Sequence, residues 1–176
     1  MGDEVSGAGR VSLGDLAAGP VRRRLAPDAE ARAAIARRLS LTDLPVLSAD
    51  IEVRPWMDGC QVQGRFSATV TQVCGVSLEP FDQAIAGEIE LRLVPAGSPN
   101  LPEDAGAGEV EVSLDSPDPP EVLEGDAVDL EALLEEHLAL EIDPFPRRPE
   151  AVFEWSPEDR EESPFAALKA LKPRTE

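Results

Sequence analysis

Hydrophobic and polar residues alternate in three long runs within the first hundred positions, and a period of two marks strands with one buried face. Leu47, Ala49, Ile51 and Val53 alternate with Ser48, Asp50, Glu52 and Arg54. Val62, Phe66, Ala68 and Val70 alternate with Gln63, Arg65, Ser67 and Thr69. Ile85, Ile89, Leu91 and Leu93 do so with Glu88, Glu90 and Arg92. Met57-Asp58-Gly59 joins the first two runs, which predicts an antiparallel hairpin with the third run paired to the second. Pro80 is expected to break pairing. Shorter extended pieces are expected at Val11 and Leu13, at Val21 to Leu25 after Gly19-Pro20, at Val110, Val112 and Leu114, and at Val122-Leu123. Val152, Phe153 and Trp155 read as a final strand or packed extended segment.

The period changes between Asp126 and Pro149. At about 100° per residue, Leu130, Leu133, Leu134, Leu138 and Leu140 share one arc and Glu131, Glu135 and Glu136 lie opposite, which predicts an amphipathic helix over Asp129 to Ile142. Asp129 suits its N-cap and Glu131 the positive end of its dipole, while Asp143-Pro144 ends it. A second helix, Asp28 to Leu39, puts Ala31, Ile35 and Leu39 on one side. Ser163-Pro164 opens a short tail helix, Phe165 to Leu171, with Lys169, Lys172 and Arg174 near its negative end. The fold class that follows is α+β: an antiparallel sheet of about five or six strands, with room to curl toward a barrel, carrying one main amphipathic helix and short flanking helices. Residues 1–10 read as a flexible end, 11–156 as a single domain, and 157–176 as an acidic linker and short C-terminal helix. Pro95 to Gly108 reads as a surface loop.

The 176 residues carry a formal net charge of −19. Residues 1–100 hold 13 acidic and 10 basic side chains, net −3, and 101–176 hold 22 and 6, net −16. Such a surface repels a phosphate backbone and attracts basic proteins. One basic region stands against the trend: Arg22, Arg23, Arg24, Arg32, Arg37 and Arg38, with only Asp28 and Glu30 among them. Arg22, Arg23 and Arg24 are the candidates for RNA contact, as are Arg147 and Arg148, although scarce aromatics leave little for base stacking. Internal pairing with the acidic half competes with that use. No apolar run approaches the roughly 20 residues that cross a bilayer, and Met1 to Arg10 lacks the features of a signal peptide, so a cytoplasmic location is expected.

Candidate chemistry is sparse. His137, the single histidine, has Glu141 one turn further on the same face, a pair that could bind metal or move protons. No HExxH or paired CxxC spacing supplies further ligands, and a histidine satisfied at the core edge is the favoured reading. Cys60 and Cys74 read as two half-buried thiols rather than a disulfide. Cys74 could serve as a nucleophile, but no neighbour in sequence would lower its pKa. No GxSxG, GxGxxG or Walker motif occurs. No cofactor, metal site or catalytic residue is therefore expected. Glu131, Glu135, Glu136 and Asp143 lack the apolar pocket that would separate their pKa values for acid–base work, which leaves a solvated face as the default and a docking face for a basic partner as the sharper reading.

The stretch TVTQVCGVSLEPFDQAI, followed by GDAVDLEALLEEHLALEIDPFPRRP and the tail SPFAALKALK, resembles the YceD family, the large ribosomal RNA subunit accumulation proteins, in the form of its alphaproteobacterial branch. The likeness covers most of Val11 to Lys172; many relatives carry a CxRCL pattern where this chain has Ser77. It implies a small cytoplasmic bacterial protein that supports synthesis or stability of the large-subunit ribosomal RNA, without catalytic activity. Joined to the charge distribution, it points to an adaptor or assembly factor whose face of Glu131, Glu135, Glu136 and Asp143 meets a basic ribosomal protein or processing factor. Direct RNA binding through Arg22, Arg23 and Arg24 is the alternative, and a hydrolase using His137 and Glu141 a distant third.

Overall fold

The three alternating runs form three long strands, short strands extend the same sheet on either side, and the two helices pack against it. The computed structural model describes residues 9–101 and 118–153. In chain order the elements are β1 (Arg10–Ser12), a 3-10 turn (Asp15–Ala18), β2 (Val21–Leu25), α1 (Ala29–Arg38), β3 (Asp43–Trp56), β4 (Gly59–Val73), β5 (Pro80–Pro95), β6 (Glu121–Leu123), β7 (Ala127–Asp129) and α2 (Leu130–Glu141). Residues 1–8, the second half of the loop expected from Pro95 to Gly108, the run Val110 to Leu114, Trp155, the acidic stretch and the tail helix lie outside the described residues.

The main sheet has the order β2-β3-β4-β5-β6, and a separate ribbon pairs β1 with β7. The sheet is α+β and stays open, with no closure into a barrel. Its pairings are antiparallel except the last, where β6 runs parallel to β5. Parallel pairing follows from the connection, since β5 and β6 are joined by a long crossover and not by a hairpin turn. The ribbon brings the start of the described chain to α2, through Val11↔Val128 and the bond from Leu130 N–H to Gly9 O.

Alternation decides which face is buried. Ala49, Ile51, Val53, Val62, Phe66, Ala68, Val70, Ile85, Ile89 and Leu93 all belong to one buried cluster. α1 packs on β3 and α2 on β5. Asp28 and Asp129 cap the two helices by accepting main-chain N–H bonds in their first turns. α2 buries Leu130, Leu134 and Leu138, an i, i+4, i+8 line, each side chain contributing about 2 kcal/mol.

Five expectations are corrected. Leu140 is 82% exposed, because it lies about 120° around the helix from Leu134, on the flank beyond half-buried Leu133. Pro80 does not break the sheet but opens β5 opposite Val73, the first position of a strand being one that proline tolerates. Residues 151–153 contain no strand, and Val152 and Phe153 are exposed. Both thiols are fully buried, at opposite ends of β4 on the order of 40 Å apart, which rules out a disulfide between them. Gly59, expected as turn chemistry, is required by contact instead: a Cβ there would stand 1.9 Å from Leu93 O.

Candidate functional site

The arginines of the basic region do not form one patch. Strand alternation sends Arg22 and Arg24 to the outer face of the sheet and Arg23 to the other. Arg22 pairs with Glu52 at 3.3 Å and Arg24 with Asp50 at 3.9 Å, their cross-strand neighbours on β3. Arg54 Nε also bonds Glu52 at 2.8 Å, and Arg65 meets Glu88 at 3.1 Å. The Arg54 bond, with Arg22 beside it, holds the Glu52 carboxyl below the usual carboxylate range. These pairs line a depression of about 860 Å³ on the outer face. Five arginines and four carboxylates line it, so its charges nearly cancel. The partners inside this depression come from β3 and β5; of the basic region, Arg38 finds its partner in the acidic second half.

The remaining members serve the fold. Arg32 donates to Leu44 O at 3.1 Å and to Pro27 O at 2.7 Å, which ties α1 to its flanking segments. Arg38 forms a fork on Glu135, Nε to Oε1 at 2.6 Å and Nη2 to Oε2 at 2.5 Å, joining α1 to α2 across 97 residues of sequence. Arg147 donates to Ala151 O and Arg148 pairs with Glu79 at 2.9 Å. Arg92 lies over the Trp56 ring, 5.6 Å from its centroid, and Arg10 faces Asp129 at 3.8 Å.

The acidic face divides accordingly. Glu135 is half-buried and held by Arg38. Glu131 and Glu136 are exposed and make no ion pair among the described residues, and the same holds for Glu141. Asp143 lies past the helix end, where its Oδ1 accepts the Phe145 N–H at 2.8 Å. His137 is half-buried, with Nδ1 bonded to Leu133 O at 2.8 Å, one turn back along its own helix. Glu141 is not brought into a bond with it. Among the described residues no three metal-ligating side chains come together.

Cys74 is what the sequence reading missed. It ends β4, and its Sγ accepts three main-chain N–H bonds at 3.4 Å each, from Val76, Ser77 and the distant Arg148. The buried Ser77 hydroxyl makes no hydrogen bond of good geometry among the described residues. That hydroxyl, with the N–H groups of Ser77, Arg148 and Val76, lowers the Cys74 thiol to about 6. Burial alone acts on Cys60 and pushes it up to about 11. Gly75 N–H to Pro146 O at 2.9 Å completes a clasp between the turn after β4 and the segment after α2. The spacing C-x-x-S foretells the two local donors, but nothing in the sequence foretells the third.

A family model described as large ribosomal RNA subunit accumulation protein YceD matches residues 62–172, more than half of the chain. The match takes in β5, α2 and the Cys74 clasp together. No curated protein and no solved structure matches the chain. Among the described residues, no helix is long and apolar enough to cross a membrane.

Proposed function

The chain belongs to the YceD family of large ribosomal RNA subunit accumulation proteins, and from that premise we propose that it serves as a non-catalytic accessory factor that binds a basic protein of the ribosome or of ribosomal RNA processing. One observation carries the choice of a protein over RNA. Apart from Arg37, every arginine among the described residues is held by a carboxylate, a carbonyl or an aromatic ring of the same chain. Lysine is absent from those residues. The exposed carboxylates Glu131, Glu136, Glu141 and Asp143 have no cationic partner among the described residues. Recruiting phosphate would require breaking intramolecular pairs, whereas attracting a cationic partner requires none broken.

Pull-down from a bacterial lysate, with and without nuclease, tests the choice. Basic proteins retained after nuclease, and lost on reversing Glu131, Glu136 and Asp143 to lysine, are the expected result. Glu135 is left out because its reversal would disrupt the fork to Arg38. Retention that vanishes with nuclease would overturn the reading in favour of RNA. For that alternative, the triple variant Arg22→Ala, Arg23→Ala, Arg24→Ala should bind ribosomal RNA fragments no differently from wild type in a gel shift.

A further inference from the structure

Sheet edges carry unpaired main-chain groups, and the two edges of this sheet differ. β5 pairs with β4 along its whole length, from Val73↔Pro80 to Cys60↔Leu93. On its other side it meets β6 only at Leu93, Val94 and Pro95. The hairpin tells which residues face outward. Cys74 N–H donates to Glu79 O at 2.9 Å, so Glu79 aims its main-chain groups at β4. Successive strand residues aim them alternately to the two sides, and the β4–β5 register carries no shift. Phe81, Gln83, Ile85, Gly87 and Ile89 therefore face β4, while Asp82, Ala84, Ala86 and Glu88 direct N–H and C=O to the open side. Val94 obeys the same rule, lying within the β6 pairing. Asp118 to Pro120 stand beside Glu90 to Arg92, which leaves Asp82 to Glu88 as the stretch uncovered among the described residues.

We propose that this open edge of β5, from Asp82 to Glu88, takes up an extended basic segment of the protein partner as an added strand. The proposal rests on the reading of a basic protein partner and deepens it by naming the seat. Charged side chains, lysine above all, guard an edge, as do an internal proline and a bulge. The charges on this stretch are the carboxylates Asp82, Glu88 and Glu90, which repel acidic strands but not a basic one, so that only a cation, a proline or a bulge would keep a basic strand off. Between Phe81 and Leu91 the strand has none of them: its prolines stand at its two ends and its register is regular. β2, the opposite edge, is five residues long and carries Arg22, Arg23 and Arg24. On β5, Ala84 and Ala86 are small and exposed, so another backbone can approach. Asp82, which accepts from the Thr71 hydroxyl at 2.6 Å, and Glu88, which meets Arg65 at 3.1 Å, flank them on the same face. Asp82 has no cationic partner among the described residues, and alternate lysine or arginine side chains of an incoming strand would lie beside it. The same two carboxylates disfavour an acidic strand, a second copy of β5 included.

Amide hydrogen exchange on the full chain tests this, with the basic proteins stripped by salt from large ribosomal subunits as the probe. In the free chain the Ala84, Ala86 and Glu88 amides should exchange rapidly, and Ile85 and Gly87 slowly. Addition of the probe should slow the first three at least tenfold. Rapid exchange persisting while the probe binds elsewhere would overturn the edge proposal alone. Failure of the probe to bind at all would remove the partner reading and this proposal with it. Slow exchange already present in the free chain would mean that the chain covers its own edge, and would also overturn it. Ala84→Pro and Ala86→Pro each delete one outward N–H without touching the ladder to β4. Each should keep the thermal midpoint of wild type and bind the probe at least tenfold more weakly; unchanged binding in both would sink the proposal.

Discussion

Truncating Leu134 and Leu140 in turn separates a five-leucine arc from the three-leucine line that the structure buries. Leu134 is 1% exposed and packed between sheet and helix, whereas Leu140 is 82% exposed. Leu134→Ala removes a buried isobutyl group from a core that relaxes only in part, so the transfer loss and the cavity together should cost about 3–4 kcal/mol. Leu140→Ala exposes nothing new and should cost less than about 0.5 kcal/mol. Equilibrium urea unfolding followed by far-ultraviolet circular dichroism measures both. With a slope of about 2 kcal/mol/M, the midpoint of Leu134→Ala should fall by roughly 1.5–2 M while that of Leu140→Ala stays in place. A typical domain stability of about 5–15 kcal/mol leaves the first variant folded in water. Equal midpoint losses in the two variants, or a loss below about 1 kcal/mol at Leu134, would refute the packing of α2 described above.

Other consequences of the structure are open to measurement. The Cys74 thiol is lowered in the folded chain from an ordinary 9.0 to about 6. The stabilisation it provides is therefore complete above about pH 9 and is lost as pH falls through about 6. The thermal midpoint of wild type minus that of Cys74→Ala should rise from pH 6 to pH 9, and a flat difference would contradict a thiolate in the clasp. Gly59→Ala forces a methyl group onto the Leu93 carbonyl and should destabilise by at least ~2 kcal/mol in thermal or urea unfolding. Asp129→Ala removes the N-cap that holds Glu131 N–H and Ala132 N–H; a loss of about 1 kcal/mol in the same assay is expected, and no loss would argue against the cap.

Much of this architecture is written in local sequence. Period-two alternation located β3, β4 and β5 because each buries one face, and the switch to helical spacing located α2 with Asp129 as its cap. Val21 to Leu25 was legible as an extended run from the Gly19-Pro20 turn before it. What local pattern cannot express is the identity of partners remote along the chain. The arginines of residues 22–38 read as one basic patch, yet alternation splits Arg22 and Arg24 from Arg23, and distant carboxylates claim them: Asp50, Glu52 and, for Arg38, Glu135. The Cys74 thiolate depends on an N–H of Arg148, and no rule of composition or spacing connects the two. The open edge of β5 is likewise a property of strand order, fixed only once β6 is seen to pair at Leu93 to Pro95. The sequence by itself determined the three long strands, the two helices with most of their buried positions, and the acidic surplus, because those follow from neighbours a few residues apart. The tertiary structure alone decided which charges remain available and which main-chain groups stay unpaired, because ion pairs and sheet ladders are made between segments that the chain brings together only on folding.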